Sequence, residues 1–173
     1  MMIKLIYPMI FLLIVLQSCK GSTDAALHKT NYIKENATYS NHKIEKIEYS
    51  TTMCFGTCPV FSLTINSDKN AEWNAEKYNK INNKEVNGKF HSKITKKQYN
   101  KLIGLLNSID LEKLKDEYEV DWTDLQSSTL KITYDNGKVK SIHDYGMRGT
   151  DDLKRIYQLL FELRENQKWK KQP

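Results

Sequence analysis

Two cysteines four residues apart, Cys54 and Cys58, restrict the backbone between them more than any other feature of the chain. In a straight strand, residues at that spacing stand about 13 Å apart. A disulfide requires Cα atoms within roughly 7 Å. If the two are joined, Cys54-Phe-Gly-Thr-Cys58 must turn. Gly56 in the middle tolerates the backbone angles of such a turn, and Pro59 closes it. Cross-linking so short a loop contributes about 2 kcal/mol through chain entropy, which fixes a local bend without holding a domain together. Val60–Ile65 then alternates, with Phe61, Leu63 and Ile65 on one face, so the turn leads straight into a strand.

Whether the thiols pair depends on compartment, and the first eighteen residues address that. Lys4 is the only charge among them, and Leu5–Leu16 is apolar throughout apart from the geometric break at Pro8. A basic start, a short apolar run and a small residue before a cut site describe a secretory signal at residues 1–18. Twelve helical residues span about 18 Å, short of the ~30 Å a membrane crossing needs. Leu16-Gln17-Ser18-Cys19 resembles the lipobox of bacterial lipoproteins. That resemblance implies cleavage before Cys19, thioether lipidation of Cys19 and acylation of its amino group. Two or more chains anchor stably where one does not. Residues 19–42 then read as a lipidated flexible tether. No acidic cluster follows Cys19, so the expected place is the bacterial cell envelope, anchored to a membrane (the outer one by preference) and facing the periplasm.

An exported compartment is oxidising, which favours a Cys54–Cys58 bridge. Two other readings stay open. Cys-x-x-x-Cys-Pro resembles the copper motif of the thioredoxin-like copper chaperones for cytochrome oxidase, and thiolates select Cu(I). In that family the motif lies between a strand and a helix, whereas a strand follows here. A zinc site completed by His91 and His143 is the weaker alternative, because the chain has no local His pair.

With 173 residues, 39% hydrophobic and 28% charged, the chain can bury one core and is not compositionally disordered. Ile44–Tyr49, Val60–Ile65, Ala71–Tyr78 and Lys89–Ile94 read as strands, with Asn79–Gly88 as a polar loop. Thr95 and Gln98 form a capping box ahead of a helix over Lys96 to about Ser108, whose apolar stripe is Tyr99, Leu102, Ile103 and Leu106. Ser128–Tyr134 and Val139–Tyr145 flank Asn136-Gly137, which supplies the positive φ angles of a type I′ hairpin. Thr150 caps a second helix, with Asp151 and Asp152 in its first turn where the dipole favours acids. The expected fold is a single α+β domain over residues 43–167, a twisted antiparallel sheet of about five or six strands with two helices on one face, followed by a basic tail at 168–173.

Cys54-Phe-Gly-Thr-Cys-Pro-Val-Phe-Ser-Leu-Thr-Ile65, with Gly88, Ile94, Tyr99, Leu102, Tyr118, Thr123-Asp124 and Asn136-Gly137, resembles an uncharacterised bacterial lipoprotein domain, domain of unknown function 6438. The resemblance runs from Lys46 to about Leu163. It implies an exported, often lipidated domain and no known activity. Arg148-Gly-Thr150 departs from the pattern where a Pro is expected.

No nucleophile elbow, zinc-protease helix or phosphate loop is present, so no catalytic residue, metal site or cofactor is expected. The best constellation is the aromatic and acidic segment after Leu114: Tyr118, Asp121, Trp122 and Asp124 form a candidate binding loop together with His143 on a later strand. Of 27 cationic residues only three are Arg, and no nucleic-acid motif accompanies them. The expected partners are therefore the membrane, through Cys19, and an envelope protein or glycan, with no nucleic acid. Lys34, Lys43 and Lys46, and the C-terminal Lys168-Trp169-Lys170-Lys171, are candidates for contact with anionic lipid. The expected function is non-enzymatic binding. A thiol-redox or copper carrier using Cys54 and Cys58 is the alternative, and an inhibitor-like module a second.

Overall fold

The computed structural model describes residues 40–173. The signal segment 1–18, Cys19 and all but the last residues of the 19–42 tether lie outside them. Strands β1 (Ile44–Thr51), β2 (Val60–Asn66), β3 (Asn70–Ile81) and β4 (Lys84–Lys93) are followed by helix α1 (Lys96–Asn107). Then come β5 (Glu117–Tyr118), β6 (Ser127–Tyr134), β7 (Lys138–Tyr145), helix α2 (Asp151–Asn166) and β8 (Lys170–Lys171). They form one large sheet in the order β5-β7-β6-β1-β2-β3-β4-β8.

The sheet has eight strands rather than five or six, and it is mixed, because β5 runs parallel to β7 while the other pairs are antiparallel. The two additional strands are two residues each, too short to leave an alternation in sequence. Lys170 and Lys171, expected in a basic tail, pair with His91 and Phe90 of β4. Asn79–Gly88, expected as a loop, is mostly strand. Asn82 and Asn83 take φ of 51° and 62° and make the whole turn, and Asn79 is fully buried within β3. Polar composition misleads there, because Asn tolerates the left-handed region that a tight hairpin needs.

Both helices start where their caps place them. Thr95 Oγ1 accepts from Gln98 N at 3.4 Å, and Thr150 Oγ1 accepts from Leu153 N at 3.1 Å. α2 lays Tyr157 over Tyr49, with ring centroids 5.6 Å apart, and sets Phe161 edge-on to Phe61 at 5.2 Å. α1 lies against α2 and contributes Leu102 and Leu106 to the same core. Trp73, fully buried, stacks on Phe90 at 4.9 Å and meets Trp169 at 5.5 Å. Truncating such a side chain to Ala costs about 3–5 kcal/mol.

The alternating residues of the same strands face away from the helices. Glu48, Thr64, Glu72 and Lys131 lie there, and Glu48 pairs across the strands with both Thr64 and Lys131. A polar outer face is what an antiparallel sheet covered on one side requires. Among the described residues, no helix is long and apolar enough to cross a membrane.

β1 has eight residues, with a bulge between Ile44 and Lys46, and its two ends stand roughly 20 Å apart. The chain enters at one end, the base, beside the β6–β7 turn, where the Lys43 carbonyl accepts from Asp135 N at 3.1 Å. The cysteine loop lies at the other end, the tip.

Candidate functional site

Three loops meet at the tip: Thr52–Pro59 between β1 and β2, Glu119–Gln126 before β6, and Gly146–Gly149 before α2. Cys54 and Cys58 are joined, with Cα atoms 5.8 Å apart. Gly56, with φ of 148°, supplies the conformation that other residues rarely adopt. The first two loops are laced by hydrogen bonds. Phe55 N donates to the Asp124 carbonyl at 3.0 Å, and Thr52 N donates to the Ser127 carbonyl at 3.0 Å. The Gln126 amide bridges both shoulders of the cysteine loop, its Nε2 donating to the Thr52 carbonyl at 2.9 Å and the Pro59 carbonyl at 2.7 Å. Asp124 adopts a φ of 62°, so its role is set by its backbone carbonyl.

The third loop is pinned from below. Asp144 is fully buried, and its two carboxylate oxygens accept from Arg148 N at 3.0 Å and Gly149 N at 2.9 Å. A Cβ on Gly149 would lie 2.8 Å from Asp144 Oδ2 and 2.9 Å from the Tyr118 ring, so only glycine lets Tyr118 pack this closely. Burial raises the Tyr157 phenol above its ordinary range, and the nearby Asp144 charge adds to the effect. Burial also raises Tyr49.

What this scaffold presents is apolar. Phe55 is 90% exposed, Met53 59% and Trp122 58%. The Arg148 guanidinium sits 4.4 Å above the Trp122 ring. On the β3 side Tyr78, at a bulge with φ of 55°, lines a cavity of about 390 Å³ with Thr57 and Pro59. Arg164 forms its floor, held between Phe61 and Phe161 at 4.6 and 4.8 Å and donating to Asn79 Oδ1 at 3.0 Å. Burial holds that guanidinium below its ordinary pKa range, with Glu165 opposing.

The candidate binding loop is only partly assembled. Trp122 and Asp124 belong to the tip, and Asp121 is exposed beside them. Tyr118 is on β5, and its Oη accepts from Lys115 N at 3.2 Å, which makes it packing. His143 lies on the outer face of the sheet, its Nδ1 3.3 Å from Thr129 Oγ1, while its neighbour Asp144 points inward. It shares a shallow cavity with Glu117 and Lys140, and Trp122 and Asp124 do not line it. His91 and His143 lie on β4 and β7, five strand intervals or about 24 Å apart. They cannot complete one zinc site with the cysteines. Among the described residues, no group of three or more His, Cys, Asp or Glu side chains gathers to hold a metal.

Sequence reasoning missed Phe55, Met53, Gln126 and Arg148. Phe55 had a signal: an aromatic inside a five-residue cross-linked loop has no route to the core. Comparison with known families decides the kinship. A domain of unknown function (DUF6438) matches residues 45–164. The chain belongs to this family. The DUF6438 match takes in both cysteines, all three tip loops and both helices up to Arg164, and leaves out β8. No curated protein matches the chain.

Proposed function

We propose that this DUF6438 chain is an exported, lipid-anchored envelope domain that binds another protein through its disulfide-closed tip. In this reading residues 1–18 are removed, Cys19 carries lipid, and the remainder forms a single α+β domain facing the periplasm. The observation that carries it is Phe55, 90% exposed on a loop fixed by a disulfide and by the Gln126 bridge. An exposed aromatic on a preorganised loop is how interface anchors are built, because little ordering entropy is left to lose on binding. Protein is favoured over glycan. A sugar platform needs an open aromatic face, and Arg148 covers one face of Trp122.

The test is crosslinking of intact envelopes followed by capture of the full chain and of its Phe55→Ser variant. The account expects one reproducible protein adduct with the former and its loss with the latter. Equal recovery with both sinks the assignment to the tip. Cu(I) titration of the reduced protein addresses the carrier alternative. Tight binding abolished by Cys58→Ser favours the carrier, and no binding retires it.

A further inference from the structure

We propose that the base of the sheet docks against the anionic phospholipid headgroups of the membrane that holds the N terminus. The proposal rests on the lipid-anchor reading above. Four observations lead to it. First, the chain enters the described fold at this end, where His42 stacks edge-on to Tyr134 at 4.6 Å. The chain from Cys19 to this point can reach at most about 80 Å, so the domain cannot leave the vicinity of the bilayer.

Second, the base gathers Lys43, Lys69, Lys93, Lys96, Lys97 and Lys168, and among the described residues none of these is in a salt bridge. The ion pairs of the domain involve other cations, such as Lys46 and Lys131 with Glu48 and Lys140 with Asp116. Third, the carboxylates at the base are already occupied. Asp135 accepts from His42 and from Lys43 N, Asp68 from Asn70 N, and Glu45 from Asn136 N. The His42 hydrogen bond, followed by that from Lys43, holds Asp135 below the usual carboxylate range. These carboxylates keep their charge, and with Glu72 they number four against the six lysines, so the field at the base is net positive.

Fourth, two of these lysines, Lys93 and Lys168, line a cavity of about 470 Å³ together with Lys170 and His91, with Glu72 as its acidic member. Its cationic side chains converge on a space that suits a phosphate-bearing headgroup. The exposed apolar groups Met53, Phe55, Tyr78 and Trp122 are at or toward the tip, and Val139, the second residue of β7, is the one toward the base among the described residues. The contact is therefore electrostatic, without insertion, and salt weakens it. Charge attraction to anionic lipid acts only within a Debye length of about 8 Å, and the tether is long enough to let the base come that close. Docked this way, the domain points its tip away from the bilayer.

The test uses the processed, lipidated full chain in vesicles of phosphatidylcholine, or of phosphatidylcholine with an equal part of phosphatidylglycerol. Flotation reports anchoring, and brief amine acetylation read by mass spectrometry reports exposure of each lysine. Lys69, Lys93, Lys96, Lys97 and Lys168 should react several-fold more slowly on the anionic vesicles, whereas Lys77, Lys80 and Lys84 toward the tip keep their rates. Added sodium chloride should restore the base. The combined Lys93→Glu, Lys168→Glu and Lys170→Glu variant, all exposed positions, should restore it without salt. Equal rates on the two vesicles overturn the docking alone, as does protection that survives the triple substitution. Inorganic phosphate that releases protection where chloride of equal ionic strength does not makes a free anion the ligand and overturns it too. A chain that floats with neither vesicle overturns the anchoring reading and this proposal with it.

Discussion

The two ends of the sheet solve opposite problems. At the tip, apolar side chains stand in water, and the backbone beneath them is fixed by a disulfide, by the Gln126 bridge and by the buried Asp144 carboxylate. At the base, lysines stand in water, and the turns beneath them are held by surface carboxylates, Asp135 accepting from Lys43 N and Glu45 from Asn136 N, rather than by a covalent link or a buried charge. Hydrophobic groups exposed on a rigid scaffold mark a surface kept for a partner. Charges exposed on a surface mark one that acts at longer range and yields to salt. The difference teaches that rigidity is concentrated where the apolar contact is to be made.

The strongest way to break this contrast is to remove the tip's internal support. Asp144→Ala leaves two backbone N–H groups, those of Arg148 and Gly149, without acceptors in a part-buried setting. It should cost about 3 kcal/mol in urea unfolding and speed hydrogen exchange at those two amides. A loss below half that size would mean that the loop finds other acceptors.

Alkali should act next. Tyr49 and Tyr157 both have raised phenol pKa values, burial being the first cause for each. The unfolded phenol ionises near pH 10, the folded ones at higher pH, so above that value the unfolded state binds fewer protons. Stability is whole below pH 10 and falls as pH rises beyond it, by about 2–3 kcal/mol for the pair one unit higher. Urea midpoints measured across that range should show the fall, and the Tyr49→Phe, Tyr157→Phe double variant should show a smaller one.

The joint Cys54→Ser, Cys58→Ser change should cost about 2 kcal/mol, because the closed loop is short. Its denaturant midpoint should fall while the slope stays constant. The smallest effects sharpen the contrast from the other side. Phe55→Ser at the tip and Lys97→Gln at the base should each move stability by less than about 0.5 kcal/mol. Thermal unfolding that shifts strongly in either variant would show that the side chain supports the fold.

Much of this architecture was legible in sequence for local reasons. Thr95 and Thr150 each cap a helix through a bond three residues on, and the hairpin turns at Asn136-Gly137, although Asp135 joins them at positive φ and makes the turn three residues rather than the expected two. The cysteine spacing required a bend, and Gly56 has the angle it needs. The assembly of the tip was not legible, because it depends on pairs remote in sequence. Arg148 reaches Trp122, and Gln126 reaches Thr52 and Pro59, only once β6 has paired with β1. His143 looked like a partner for the acidic loop, but strand alternation sends it to the outer face and Asp144 to the inner one. Strands of two residues, and a hairpin that turns on Asn82-Asn83 inside a polar run, left no periodic trace.

The central claim is that the tip is the binding end. Photo-crosslinking in living cells tests it most directly, with a benzophenone amino acid placed singly at Phe55, at Ser141 on the outer face and at Lys97 on the base. The account predicts one discrete protein adduct from position 55, and none from 141 or 97. An adduct that forms from 141 or 97 while 55 stays silent would contradict it.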